Sequence, residues 1–312
     1  MKRRNLTDEL TRRPLVCDGA MGTQLMAAGL KPGSCGELWN VDNAPAVEVI
    51  HRRYRAAGCD LLTTNTFGGT TTSLERHGLA ARCDELNRAG AAVARKAAGD
   101  DGWVLGDIGP FGGFLEPLGD TTPQQLHAIF LQQARALAAG GADGFVVETM
   151  GDPNEVAIAV RACKSAAKLP VIATYAFGHA DGGAFRTMMG TTVADAMKAA
   201  IDAGADIVGA NCGTALSLDD YVKLAGQLVA AAGKTPVILQ PNAGSPKQVG
   251  DRLVYAATPE DMAAIVPKLL AAGVRVIGGC CGTTPDHLKA MADAARRNVT
   301  GNGRSQRSSG YA

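Results

Sequence analysis

Ala57-Gly58-Cys59-Asp60-Leu61-Leu62-Thr63-Thr64-Asn65 reads as the end of a helix, a glycine exit, a short buried strand and a polar loop, in that order. A near copy, Ala203-Gly204-Ala205-Asp206-Ile207-Val208, stands further along, with Gly141-Ala142-Asp143 between them. Glycine just past a helix accepts the left-handed turn that ends it. A short apolar run between polar residues is how a strand buried on both faces looks in sequence. Outward from this stretch, such runs recur at Leu15-Val16, Leu61-Leu62, Val104-Leu105, Phe145–Val147, Val171–Thr174, Ile207-Val208, Val237–Leu239 and Val274–Ile277. Each precedes a polar loop and an alanine-rich stretch. The predicted helices are Pro45–Ala57, Asp84–Ala98, Pro123–Ala139, Pro153–Ala167, Thr192–Ala203, Leu218–Ala232, Pro259–Ala272 and Pro285–Ala295. Several open on proline, whose missing N–H costs nothing in a first turn. Strands alternating with helices predict a parallel sheet, and eight such units in roughly 290 residues predict a single-domain α/β fold, the (β/α)8 TIM barrel, over an open doubly wound sheet.

The chain of 312 residues, 46% hydrophobic, supports one large core and leaves no length for a second folded unit. Thirty-one basic and 30 acidic residues give a net charge of +1, so no global field points to nucleic acid or an acidic membrane. Eight cysteines, with no secretory leader and no apolar run of membrane-spanning length, predict a reducing, cytoplasmic setting in which thiols are ligands or core filler. Residues 1–13 are expected to be a flexible arm, 14–298 the barrel and 299–312 a disordered tail.

Active sites of this fold sit at the strand C-termini, so residues just after each apolar run are the ones to weigh. They include Cys17-Asp18-Gly19-Ala20-Met21-Gly22-Thr23, Thr63-Thr64-Asn65-Thr66-Phe67, Asp107, Glu148-Thr149, Tyr175, Asn211-Cys212, Gln240-Pro241-Asn242 and Gly278-Gly279-Cys280-Cys281-Gly282. Strands six and eight have equal parity, which brings Cys212 towards Cys280 and Cys281. Three thiols around an open fourth position suit a Zn2+ that binds a substrate thiol and favours alkyl transfer to sulfur over hydrolysis. Adjacent residues of a strand point to opposite faces, and Gly278, Gly279 and Gly282 are expected to supply the freedom that turns both cysteines inward. The alternative is a glycine-rich anion cradle after strand eight with incidental cysteines, and no basic residue stands nearby to support it. Cys35, Cys59, Cys83 and Cys163 read as core filler. His51, His77, His127 and His287 read as surface or packing residues, whereas His179 lies in the glycine-rich loop Phe177–Gly190 facing the rim.

The stretches Asp18–Thr23, Ala57–Gly68, Gly106–Pro110, Gly209–Cys212, Pro241–Gly244 and Gly278–Pro285 resemble the homocysteine-binding barrel of homocysteine S-methyltransferases, from about Arg13 to Ala295. Within that family the wording is most similar to the N-terminal domain of cobalamin-dependent methionine synthase. The resemblance implies zinc on Cys212, Cys280 and Cys281, with Asn242 at the fourth position when the homocysteine sulfur is absent. It implies that Glu148 holds the homocysteine ammonium, with Asp107 assisting. It also assigns the amino-acid end of the substrate to the loop carrying Asp18, Gly19 and Thr23, with Asn65 on the same rim. Where that branch has Ser-x-Gly-Pro after the first cysteine, this chain has Gly213-Thr214-Ala215-Leu216.

The sequence carries no Asp-x-His-x-x-Gly corrinoid signature, so the methyl group is expected from outside the barrel, from a methyl-corrinoid (cobalamin) on a separate corrinoid protein. With 4% aromatics, an aromatic cage for a small onium donor such as S-methylmethionine or a betaine is poorly supplied around Asn65, Phe67, Phe111 and Phe114, Trp39 and Tyr175 being the best candidates for one. Transfer to another thiol is a further alternative, and a non-enzymatic metal-binding barrel a third.

Overall fold

The computed structural model describes residues 5–249 and 252–305. Eight parallel strands form one sheet: β1 Leu15–Val16, β2 Leu61–Thr63, β3 Trp103–Ile108, β4 Gly144–Met150, β5 Val171–Tyr175, β6 Ile207–Asn211, β7 Val237–Gln240 and β8 Val276–Ile277. From β2 to β8 each pairs in parallel with the next, and β8 pairs with β1. The ring closes through a parallel bridge between Cys17 and Leu61, where Asp18 N–H donates to the Leu61 carbonyl at 3.0 Å.

The repeated Gly-x-Asp has one physical job in all three copies. Gly58, Gly141 and Gly204 leave their helices at φ 99°, 101° and 101°, a region that favours glycine. The aspartate two residues on then reaches back to the start of the preceding strand. Asp60 accepts Val16 N–H at 2.9 Å, Asp143 accepts Val104 N–H at 2.7 Å and Asp206 accepts Val171 N–H at 2.7 Å. Their own N–H groups donate to Val16, Val104 and Val171 carbonyls, so each copy sets the register of a strand pair.

Period-two alternation sorts the apolar runs into two layers. Leu15, Leu61, Leu105, Val146, Ile172, Ile207, Ile238 and Val276 fill the barrel interior, while their neighbours Val16, Leu62, Val104, Phe145, Ala173, Val208, Leu239 and Ile277 pack beneath the helices. Continuing the inward parity towards the strand ends reaches Cys17, Thr63, Asp107, Glu148, Thr174, Asn211 and Gln240. The interior therefore turns from apolar to polar along the barrel axis.

Three expectations need correction. Within the supposed flexible arm 1–13, Leu6–Arg12 is a helix capped by the Asn5 side chain, and Leu6 and Leu10 join the interior cluster beside Trp103 and Val276. Arg13 fastens it by a bidentate pair with Asp60. The tail, expected from 299, continues the helix Pro285–Ser305, and residues 306–312 lie outside the described residues. The rim loops hold two antiparallel hairpins, Gly178–His179 with Phe185–Arg186 and Pro246–Val249 with Arg252–Tyr255. Of the three glycines around the cysteine pair, only Gly282 has positive φ, at 80°. Gly278 is there for space, since a Cβ would lie 2.9 Å from Cys17 Cβ and 3.0 Å from Gln240 Cγ. Among the described residues no helix is long and apolar enough to cross a membrane.

Candidate functional site

Cys212, Cys280 and Cys281 come together at the strand C-termini with their sulfurs all within 4.8 Å of one another, and Cys212 Sγ lies 3.9 Å from Cys281 Sγ. Cys212 follows the inward-facing Asn211 and by alternation would point outward, but its φ of 53° swings it back. The loops after β7 and β8 are zipped together: Cys280 N–H donates to Pro241 C=O at 2.8 Å, and Ala243 N–H donates to Cys281 C=O at 3.0 Å. That pairing sets Asn242 against the thiols. Its Nδ2 donates to Gly213 C=O at 3.3 Å, it hydrogen-bonds Cys212, and its Oδ1 is buried without a partner. Tyr221 buttresses the same corner, donating to Cys212 C=O at 2.6 Å.

The cluster fits a tetrahedral thiophilic ion. Zinc–sulfur bonds of about 2.3 Å at tetrahedral angles require sulfurs about 3.8 Å apart. Hydrogen bonds from Cys280 and Cys281 pull Cys212 far below the usual thiol range, and the bond to Cys212 pushes Cys280 up. Tyr255, on the second hairpin, hydrogen-bonds Cys281. The other five cysteines are buried free thiols away from this cluster.

Beside the sulfurs stands a group of carboxyls. Asp18 is 1% exposed; its Oδ2 accepts Thr63 N–H at 2.9 Å and its Oδ1 the Thr63 hydroxyl at 3.0 Å. Burial pushes it up to about 7 despite those bonds. Asp107 is raised well above the carboxylate range by burial and then by Glu148 and Asp18, and its Oδ1 has no hydrogen-bond partner. Glu148 is raised by burial and then by the charges of Asp18 and Cys212. Burial and mutual repulsion both oppose ionisation of these three carboxyls, and a cationic group placed among them would relieve that opposition.

The remaining predicted positions divide. Gly19 is a packing glycine, since a Cβ would meet Thr283 Oγ1 at 2.4 Å, and the neighbouring Ala20 N–H donates to that same oxygen at 3.1 Å. Thr283 in turn donates to Cys280 C=O at 2.7 Å, so the Asp18–Thr23 loop is stapled to the cysteine loop. Thr23 Oγ1 is buried without a partner. Asn65 has its amide committed to internal bonds, donating to Gly36 C=O at 2.8 Å and Asn40 Oδ1 at 3.0 Å. His179 faces away from the cluster, pairing with Asp220 at 3.1 Å and stacking on Phe185. Of the rim aromatics, Phe111 and Tyr175 are buried, whereas Phe67 and Phe114 are exposed.

Asn211 was read from the sequence as a strand-end residue beside Cys212 but was given no role of its own. Its Oδ1 accepts Thr149 N–H at 2.8 Å and the Thr174 hydroxyl at 2.7 Å, while Nδ2 donates to Thr149 Oγ1 at 2.7 Å and Cys280 Sγ at 3.7 Å. The available signal was parity: Asn211 lies four residues after the inward-facing Ile207.

A sequence profile of the family described as homocysteine S-methyltransferase matches residues 15–295. The methionine synthases of Mycobacterium tuberculosis (strain ATCC 25618 / H37Rv) and Mycobacterium leprae (strain TN) are each 33% identical to this chain, over 93% and 94% of its length. The chain spans 25% of the length of either relative. Among solved structures, the metallated form of the Escherichia coli homocysteine methyltransferase MmuM superposes with a TM-score of 0.74 at 23% identity, covering 92% of this chain and 98% of that one. A methyltransferase from Methanosarcina mazei superposes with a TM-score of 0.57 at 11% identity, covering 92% and 94%. Both structural likenesses concern the fold.

Proposed function

Since the chain belongs to the homocysteine S-methyltransferase family, we propose that it is a methyltransferase that moves a methyl group onto the sulfur of homocysteine to give methionine. The observation that carries the reading is three sulfurs within 4.8 Å of one another with Glu148 beside Cys212 and, beside Glu148, the buried Asp107, whose Oδ1 has no partner. A thiol at one end and an ammonium at the other is the substrate chemistry that answers both halves. Cys212, Cys280 and Cys281 are assigned as zinc ligands, with Asn242 Oδ1 at the fourth position when substrate is absent. Zinc bound there supplies a charge that keeps a thiol deprotonated at neutral pH.

The protein's own groups do the rest. Glu148, supported by Asp107 and Asp18, takes the ammonium, and the Asp18–Thr23 loop receives the carboxylate end through Gly19 and Thr23. In the transfer the sulfur lone pair forms the new S–C bond while the donor–carbon bond breaks, its electron pair staying on the donor and the thiol proton passing to solvent. The donor is assigned as a methyl-corrinoid carried by a separate corrinoid protein, in the reducing cytoplasm. Two features favour a protein-borne donor over a small onium compound. Phe111 and Tyr175 are buried, which withdraws two of the aromatics that a cage at the rim could use. Beside the mouth, Phe114, Leu118, Met188 and Met189 line an apolar cavity of about 900 Å³, and Met188 is 85% exposed.

Zinc-loaded protein with homocysteine should demethylate methylcobalamin or a methylated corrinoid protein, and should be nearly inactive with betaine or S-methylmethionine. Rapid turnover of either onium compound with no response to the corrinoid would overturn the donor assignment. No methionine from any of these donors would overturn the reaction. Glu148→Gln should weaken homocysteine binding by about 1.5–3 kcal/mol while leaving a plain alkanethiol unaffected. Equal losses for both ligands would remove Glu148 from ammonium recognition.

A further inference from the structure

We infer that Asn211 is a positioning residue that fixes the separation between the Glu148-Thr149 bulge of β4 and the Cys280 thiol, and thereby sets which length of aminothiol fits between them. The inference rests on the homocysteine reading above and names what enforces the length selectivity of that site.

Asn211 is 0% exposed, and its side chain makes four hydrogen bonds. Two of these grip Thr149 from both sides: the backbone N–H donates to Oδ1 at 2.8 Å, and Nδ2 donates to Thr149 Oγ1 at 2.7 Å. Thr149 sits at φ 62°, a conformation that a β-branched residue keeps only where its surroundings over-determine it. The grip therefore decides where the adjacent Glu148 points its carboxyl. At the other end Nδ2 donates to Cys280 Sγ at 3.7 Å, and Thr174 locks the amide by donating to Oδ1 at 2.7 Å. Asn211 also immediately precedes Cys212. One buried amide thus references the carboxylate side of the site to the sulfur side.

Only a short amide does this. Aspartate at the position would lose both Nδ2 donations and set a negative charge against the thiols, and an alkyl side chain would release Thr149 altogether. A substrate anchored at both ends is measured by the distance between its anchors, and one methylene more or less registers only if those anchors stay still.

The test compares zinc-loaded wild-type protein with Asn211→Ala and Thr174→Val, measuring zinc content and the dissociation constants of homocysteine, cysteine and butanethiol by calorimetry. The thiolate-to-metal absorption of the cobalt(II)-loaded proteins is recorded alongside. In Asn211→Ala, zinc content and butanethiol affinity should hold, the preference for homocysteine over cysteine should fall by about tenfold, and the cobalt band should shift because Cys280 has lost a donor. Thr174→Val, which removes one bond of the four, should lose less selectivity. A soluble Asn211→Ala protein that keeps the wild-type preference would overturn the inference. Should that variant fail to fold, Thr149→Ala removes the hydroxyl that accepts from Nδ2 and leaves only the backbone N–H bond; it should lose part of the selectivity, and an unchanged preference would count equally against the inference. If wild-type protein binds homocysteine no better than butanethiol, the homocysteine reading fails and this inference with it. A discriminating wild type with unaltered variants would sink the inference alone.

Discussion

The two ends of the barrel are built from the same eight strands and have opposite chemistry. At the N-terminal end, Leu6 and Leu10 of the first helix close the interior against Leu15, Trp103, Ile172, Ile207 and Val276, a plug of apolar side chains. At the C-terminal end the interior carries Asp18, Asp107, Glu148 and three cysteines, and Thr23 Oγ1, Asp107 Oδ1, Tyr175 OH, Gln240 Oε1 and Asn242 Oδ1 are buried there without partners. A folded chain tolerates such groups only where burial elsewhere offsets them. The comparison shows stability concentrated at one end and binding capacity at the other, coupled through strands of two to seven residues.

The sharpest way to break the contrast is to remove one ligand. Cys281→Ala should drop zinc from one per chain to near zero and abolish methyl transfer, with little change in metal-free stability. Full zinc occupancy by elemental analysis in this variant would refute the ligand assignment. At the opposite end, Leu10→Ala should cost roughly 2–5 kcal/mol in urea unfolding while zinc content and homocysteine affinity stay at wild-type values. A loss of metal there would mean that the two ends are not separable.

Asp18 tests the mouth by pH. Its folded pKa is raised by burial to about 7, so its contribution is fully present below the ordinary carboxylate value and is lost as pH rises through about 7. The metal-free, substrate-free protein should lose up to about 3 kcal/mol between pH 4 and 7, and Asp18→Asn should flatten that slope. An unaltered pH profile would show that the carboxyl is compensated by its bonds to Thr63. The smallest expected effect concerns His51, on the helix Ala44–Ala57, 0% exposed with both ring nitrogens lacking partners. Burial lowers its pKa to about 4, so its stability is present above the ordinary value of about 6.5 and is lost as pH falls from there towards 4. Wild type should lose about 2 kcal/mol between pH 7 and 5, a loss that His51→Leu should abolish. Equal acid sensitivity of the two proteins would assign it to other groups.

The eight strand-helix units were legible because their signals are local: apolar pairs, glycine exits and prolines at first turns lie within a few residues of what they specify. The helices Pro123–Ala139, Leu218–Ala232 and Pro259–Ala272 end where the sequence pattern ends them. The cysteine set was also legible, because barrel topology brings every strand C-terminus to one rim. The first helix was not. Seven residues are too few to form a stable helix alone, and Leu6–Arg12 exists because the open bottom of the barrel takes Leu6 and Leu10.

What the sequence by itself determined is therefore the fold, the family resemblance and which three thiols come together at the rim. Tertiary structure alone decided the rest. Alternation would have pointed Cys212 away from its partners, and its positive φ, set by the loop packed against β7 and Tyr221, turned it inward. Asn65 stands in a rim motif, yet its amide went to Gly36 and Asn40; Asn211 reads as a strand residue, yet it joins three segments far apart in the chain. The physical reason is common to all three. Backbone preference and hydrophobic pattern act over a few residues, whereas the partner of a buried polar group is chosen by whichever distant segment the closed barrel brings within hydrogen-bond reach.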